Sequence, residues 1–451
     1  MSVPIEVEFS ADLTALQPGQ PFTLTRVANA VSVLVDLGEG VGPEDALPRF
    51  WGYSRPGNYR MTVIDVGDLA RRIEIPVTVV AGEPALAATY ARVVNSAEQF
   101  LALGPSDYPD NHLAIAACPD GSGDMYYWWG CLFADGIIGI LRSRGTATDL
   151  LARGEIVRSR IVNDTISRPF PQAWFIPGPV HVVRRDGRPD LVVMAALLQE
   201  TTPSFTIPVY GSVHFLVSDD YTNWSIVGEA WRHAVDKAAY LSGKLPADNY
   251  VGLNGGTALL WVADGSGVPN QGWLYLCLSQ LNGPTHGPQG RASNLVPMSL
   301  ARIWLPSFLA AVDAGRSPAL LVAKWYQGGW DFYFDGPAST LPGAEFFGGL
   351  WANQIVRCPD LGLYVAIGQA PVGDGNIAWL SSAPAPEGPW STPVEAGRFG
   401  ARPSDAGNCY SFSTTDGTVG REFEVLAEVF DAKVNGPVRW EGLTLRVDAI
   451  T

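Results

Sequence analysis

Apolar and polar positions alternate over most of the chain, with a period of two and turn-forming residues every few positions. Near the N-terminus the segments IEVEF, FTLTRV, VSVLVDLG, NYRMTVIDV and IEIPVTVV follow this pattern, rich in β-branched residues. Such alternation marks strands with one buried face, so residues 1–82 are expected to form a small β-sandwich. Residues 83–103 (EPALAATYARVVNSAEQFLAL) read differently. They are Ala-rich, and Leu86, Tyr90, Val93, Val94 and Phe100 recur at helical spacing. That predicts a linking helix within 83–104.

Beyond residue 105 the pattern repeats. Five stretches of similar build contain LAIAACPDGSGDMYYWWGCLF, PVHVVRRDGRPDLVVMAALL, GTALLWVADGSGVPNQGWLYLCLS, ANQIVRCPDLGLYVAIGQ and NCYSFSTTDGTVGREFEVLAEVF. Each places hydrophobic strands around a Gly- or Asp-containing turn. Asp120-Gly121, Asp186-Gly187, Asp264-Gly265 and Asp416-Gly417 are hairpin signals, because glycine takes the positive φ that tight turns require. Recurrence on this scale predicts radial repetition, a five-bladed β-propeller over residues 105–451. A large β-sandwich is the alternative that hairpins alone leave open. The 49 glycines and 35 prolines fit short strands rather than a helix bundle.

Charge and cysteine content narrow the function classes. The formal net charge is −15, and the basic pairs Arg71-Arg72 and Arg184-Arg185 are isolated, which argues against nucleic acid. The longest apolar runs, such as LVVMAALL, are too short to span a membrane. Five cysteines (118, 131, 277, 358, 409) have no short pair spacing. They read as buried apolar residues of a chain folded in reducing cytosol, not as a disulfide framework or a zinc site. MSVPIEVEFSADL has neither a basic nor an apolar signal region, so no secretory leader is expected.

Two resemblances bear on function. VDLGEG followed by FWGYSRPGNYRMTVIDV resembles the polycystic-kidney-disease (PKD) type of immunoglobulin-like domain. Asp36, Gly38 and Gly40 stand in its turn, Glu39 replaces its second Asp, and Tyr53, Pro56, Gly57 and Tyr59 hold its second half. That resemblance implies a spacer or docking module. Farther on, APAPEGPWSTP (383–393) and YYWWGCLF (126–133) resemble motifs of a five-bladed propeller family that contains actinobacterial endo-D-arabinanases and actinophage minor tail proteins. PGPVHVV, DLVVMAALL and SLARIW are weaker echoes. The resemblance implies an all-β chain, a PKD-type sandwich followed by a five-bladed propeller.

It also implies a role: a tail-tip protein of the virion, assembled in the host cytoplasm. Its partners would be other tail proteins, further copies of itself and a host cell-surface polysaccharide such as arabinan. The departures count equally. The family's first-blade Asp aligns with Cys131 and its later Glu near Ala352. Glycoside hydrolysis needs two opposed carboxyls, one to protonate the leaving oxygen and one to attack or activate water. Loss of both implies binding without hydrolysis. An active endo-arabinanase and a purely architectural tail protein are the alternatives.

Other acids could fill the missing roles: Asp124, Asp135, Glu200, Asp248, Asp331, Asp335 and Glu345. Each also suits a strand-end turn. Glu200 with Asp331 is the pair to test if the protein is active. The histidines (112, 181, 214, 233, 286) show no zinc spacing, and there is no nucleophile elbow or phosphate loop, so no metal or cofactor is expected. His181 and His286 read as structural or loop residues. Aromatics are the positive sign of a ligand, because sugar rings offer apolar C–H faces. Clusters lie at 126–129, at Trp224 with Trp231, and at 325–330. About half of each cluster must face the core, given strand alternation. Trp128, Trp325, Tyr326, Trp330 and Trp351 are the candidate glycan-stacking residues.

Overall fold

The computed structural model describes residues 4–16, 24–30, 32–36, 44–45, 57–80, 86–96, 108–132, 138–147, 149–162, 172–201, 210–232, 251–282, 298–326, 329–331, 345–347, 351–369, 377–388, 390, 394–398, 407–414, 417–431 and 439–447. The chain divides into two compact units, residues 1–85 with 381–394 and 450–451, and residues 86–380 with 395–449.

In the first unit β1 (Glu6–Phe9) pairs antiparallel with β2 (Leu24–Ala28). β3 (Val33–Asp36), β4 (Glu44–Asp45), β5 (Gly57–Asp65) and β6 (Arg72–Val79) form a second sheet in the order β4-β3-β5-β6. The two sheets share one core of Ile5, Leu13, Leu16, Val33, Val35, Met61, Val63, Val77 and Val79, with Phe9, Leu24 and Val27 against it. Burial alternates along β5, as its sequence pattern demands. Of the PKD-like motif, Asp36 lies on β3 and Gly57 and Tyr59 on β5. Gly38, Glu39, Gly40, Tyr53 and Pro56 lie outside the described residues.

The helix expected over 83–103 is instead a strand, β7 (Leu86–Ser96). It pairs antiparallel with the last strand of the chain over its whole length. Helical spacing of apolar residues was a local signal only. A free sheet edge supplied hydrogen-bond partners to an 11-residue stretch containing Thr and Val, which suit a strand as well as a helix.

The second unit is a five-bladed β-propeller. Blade 1 holds β8 (Tyr108–Ala117), β9 (Met125–Leu132), β10 (Ile138–Gly145) and β11 (Glu155–Val162). Blade 2 holds β12 (Gln172–Val183), β13 (Leu191–Thr201), β14 (Tyr210–Ser218) and β15 (Trp224–Arg232). Blade 3 holds β16 (Val251–Ala263), β17 (Gly272–Asn282), β18 (Met298–Trp304) and β19 (Ala323–Tyr326). Two short strands extend it, β20 (Gly329–Asp331) and β21 (Glu345–Phe347). Blade 4 is β22 (Trp351–Cys358), β23 (Leu363–Gln369), β24 (Ile377–Ala383) and β25 (Val394–Arg398). Blade 5 is β26 (Gly407–Ser413), β27 (Glu422–Asp431) and β28 (Arg439–Val447), completed by β7.

The first strand of each blade lines the axis. β8 touches β12, β12 touches β16, β16 touches β22, β22 touches β26, and β26 returns to β8, so the ring closes. This excludes the open sandwich. At the closing seam the Ser413 hydroxyl donates to the Leu113 carbonyl, both buried. A single apolar run explains the blade interior. In LVVMAALL, Val193, Ala195 and Leu197 enter the layer facing blade 3, whereas Val192, Met194, Ala196 and Leu198 enter the layer facing blade 1. A sheet covered on both faces needs no polar alternation.

Three of the four hairpin signals hold; Gly417 does not take a positive φ, and Asp416 lies outside the described residues. Gly121, Gly187 and Gly265 take φ of 70°, 67° and 84°. Asp120 and Asp264 carboxylates accept the amide protons of Ser122 and Ser266 at 3.0 and 2.8 Å. A helix that the strand pattern did not predict, α1 (Leu305–Asp313), follows β18. Pro306 starts it, Leu305, Phe308 and Ala311 are its buried stripe, and Arg188 clamps its Asp313 through two 2.8 Å bonds.

Removing β7 should open the ring. A chain beginning at residue 86 is expected to melt cooperatively, whereas one beginning at residue 97 should lose that cooperativity. Calorimetry on the two fragments checks this.

Candidate functional site

The strand registers define two ends of the propeller. Leu132, at the end of β9, faces both Tyr108 and Ile138, the first residues of β8 and β10. Likewise Thr201 faces Gln172, Asn282 faces Val251, and Gln369 faces Trp351. These positions form the leading end, where the axial strands begin. The opposite, trailing end carries the tight hairpins, which touch across blades. Asn270 donates to the Arg184 carbonyl at 2.8 Å, and the Arg357 amide to that of Gly417 at 2.7 Å.

Most predicted site residues fall at the leading end. Glu200 is the penultimate residue of β13, opposite Ala173 on β12 and Tyr210 on β14. Cys131 faces Pro109 and Gly139, and Ala352 faces Gly368. Trp351 opens β22. Trp325 and Tyr326 end β19, Trp330 lies opposite Trp325, and Glu345 is opposite Ser299. Asp331 faces Lys324 in the register. Lys324 is buried, with its ammonium 4.3 Å from the Trp231 ring centroid. Asp135, Asp248, Asp335 and His286 lie outside the described residues.

Two candidates sit elsewhere. Trp128 is fully buried and does not line a ligand surface. Its indole N–H donates to the Tyr221 carbonyl at 3.1 Å, and its ring meets Trp224 edge-on at 5.8 Å, locking blade 1 to blade 2. Tyr127, Trp129, Trp224 and Trp231 are equally buried. Asp124 is at the trailing end. Arg153 grips it in a fork with bonds of 2.7 and 3.0 Å, and Arg144 adds one of 2.9 Å. The Arg153 bond, then the Arg144 bond, holds its carboxyl below the usual range against the opposing effect of burial. Such an acid staples a hairpin and has no proton to donate.

Of the candidate glycan-stacking residues, Trp325 and Trp330 are half-buried, with ring centroids 5.1 Å apart at 65°. Sequence reasoning missed Arg302, whose guanidinium lies 3.9 Å from the Trp330 centroid. Its signal was present: Arg302 interrupts an otherwise apolar strand, MSLARIW. His181 stacks on Trp261 at 5.0 Å and 20° between blades 2 and 3, and burial lowers its pKa to about 4, so it is a neutral packing residue. Cys118, Cys277 and Cys358 are free buried thiols. Burial pushes Cys118 up to about 11 and raises the other two, which leaves them unreactive. Among the described residues no three His, Cys, Asp or Glu side chains group to hold a metal, and no helix is long and apolar enough to cross a membrane.

No family model matches the sequence, and no curated protein matches it. Solved structures to which the chain is similar include glycoside hydrolases. The exo-β-1,3-galactanase of Phanerochaete chrysosporium is 13% identical, with a TM-score of 0.40 over 73% of this chain and 60% of that one. A glycosyl hydrolase from Bacteroides ovatus is 11% identical, TM-score 0.39, covering 76% of this chain and 86% of that one. A family 117 glycoside hydrolase of Zobellia galactanivorans is 10% identical, TM-score 0.38, covering 76% and 86%. The propeller assignment rests on the strand pairing and ring closure above.

Trp128→Ala should cost about 3–5 kcal/mol of stability, the range for emptying a large aromatic site, measured by denaturant unfolding. Asp124→Asn should be less stable at pH 7. A depressed carboxyl contributes above its unfolded pKa and loses that contribution as pH falls. The gap between variant and wild type should therefore close below about pH 4, followed by thermal melts across pH.

Proposed function

We propose that this protein is a minor tail protein at the tail tip of an actinobacterial phage, and that its propeller binds an arabinan-like cell-wall glycan without hydrolysing it. The observation that carries this reading is the composition of the leading end. Half-exposed Trp325 and Trp330 lie in the leading half of blade 3. Cys131 and Ala352 occupy the positions where the resembled propeller family has its acids. Indole rings can stack on sugar C–H faces. A thiol and a methyl group supply neither the acid nor the base that glycosidic cleavage needs.

The N-terminal unit serves in this reading as a PKD-type spacer, and copies of the chain associate with one another and with neighbouring tail proteins in the virion. Asp331 shares a register position with Lys324, and Glu200 is the penultimate residue of β13.

Purified protein incubated with mycobacterial arabinogalactan should retain the polysaccharide in affinity electrophoresis and release no oligosaccharide. Release that disappears in Asp331→Ala or Glu200→Ala would establish an arabinan hydrolase instead. No retention at all, with particle assembly still dependent on the protein, would leave an architectural role.

A further inference from the structure

One side of blade 3 carries a continuous aromatic band with an arginine at its centre. Trp273 and Tyr275 stand two residues apart on β17, and so share a side of the sheet. Trp304 and Arg302 lie directly opposite them on β18. Ala323 faces Arg302 on the next strand, which puts Trp325 on that side too, and Trp330 lies opposite Trp325. The Arg302 guanidinium sits between two rings, 4.0 Å from the Trp273 centroid and 3.9 Å from that of Trp330. It donates to the Tyr275 hydroxyl at 3.3 Å. Trp304 meets Trp273 at 5.0 Å and 62°, the same tilted contact that Trp325 makes with Trp330. The reverse side of these strands is ordinary core, with Leu274, Leu276, Ala301 and Ile303 packed towards blade 2.

The band is only partly covered. Trp273, Trp304, Trp325 and Trp330 are all only half-buried. Trp273 and Trp330 each spend one face on the guanidinium. A ring in an edge-to-face pair keeps at least one face outside that pair, so Trp304 and Trp325 have faces that the stack leaves unused. The band crosses four adjacent strands, about 14 Å at the usual strand spacing. It runs from the trailing half, at Trp304 and Trp273, to the leading half, at Trp325. That length exceeds one sugar ring.

We infer that this band is a track for an internal run of a cell-wall polysaccharide, with Trp304 and Trp325 stacking on separate sugar rings and the Arg302 stack fixing their separation. The inference rests on the glycan-binding reading. It adds that the protein grips the middle of a polymer along a blade, not a chain end at the axis.

Solubilised mycobacterial arabinogalactan is the probe. Trp304→Ala and Trp325→Ala should each weaken binding about tenfold, and Trp325→Phe should retain most of it. Hydroxyl-radical footprinting of the unmutated protein with and without arabinogalactan tests the same point without a substitution. Protection of Trp304 and Trp325 is the expected result. Wild-type binding with no protection there, or with folded Ala variants that bind as tightly, overturns the track while leaving glycan binding intact. Failure of the wild type to retain arabinogalactan overturns the glycan-binding reading, and the track with it.

Discussion

A ring of sheets holds together only if its last member is complete and meets its first, and here the antiparallel ladder between β7 and β28 completes the blade whose β26 returns to β8. Every blade depends on it. A blade is apolar on both faces and has no stable existence beside an empty place in the ring. The ladder closes blade 5 with a strand from the opposite end of the sequence, so the two termini of the propeller unit are fastened to each other. Open sheet edges at that point would expose unpaired backbone groups and invite association. Closure also explains why the inter-blade layers are largely apolar, with the runs of β13 and β14 buried throughout their centres.

These layers decide the fate of the aromatics. Wide rings fill the wedge between neighbouring blades, where Trp128, Trp224 and Trp231 are fully buried. Blade 3 differs because it has strands beyond the usual four, and aromatics on those outer strands are only partly covered. The helix α1 and the Arg188–Asp313 clamp occupy the trailing end of that blade. Its elongated side is therefore where the packing scheme leaves indole surface over.

Charge is distributed by the same geometry. At the trailing end acids are spent on structure: Asp120 and Asp264 close turns, and Asp124 is gripped by Arg153 and Arg144. Arg142, buried behind Tyr126, spans Glu155 and the Tyr221–Thr222 turn and ties blade 1 to blade 2. Glu200 and Asp331 lie on separate blades.

The alternation of apolar and polar residues, the Asp-Gly turns and the five-fold recurrence by themselves determined that the chain is all-β and built of repeated hairpins, whereas ring closure through β26 and β8 decided for a propeller over a sandwich. The former are local signals, set by side-chain period and by the positive φ of glycine. Only the tertiary structure decided what local pattern leaves ambiguous. Residues 86–96 are a strand because β28 offered an edge to pair with, although their spacing also suits a helix. Trp128 is core because the blade is covered on both faces, and alternation tells which residues share a face but not whether that face meets solvent. Arg302 joined the aromatic band because strands distant in sequence brought Trp273 and Trp330 to its two sides, a juxtaposition that no single segment encodes.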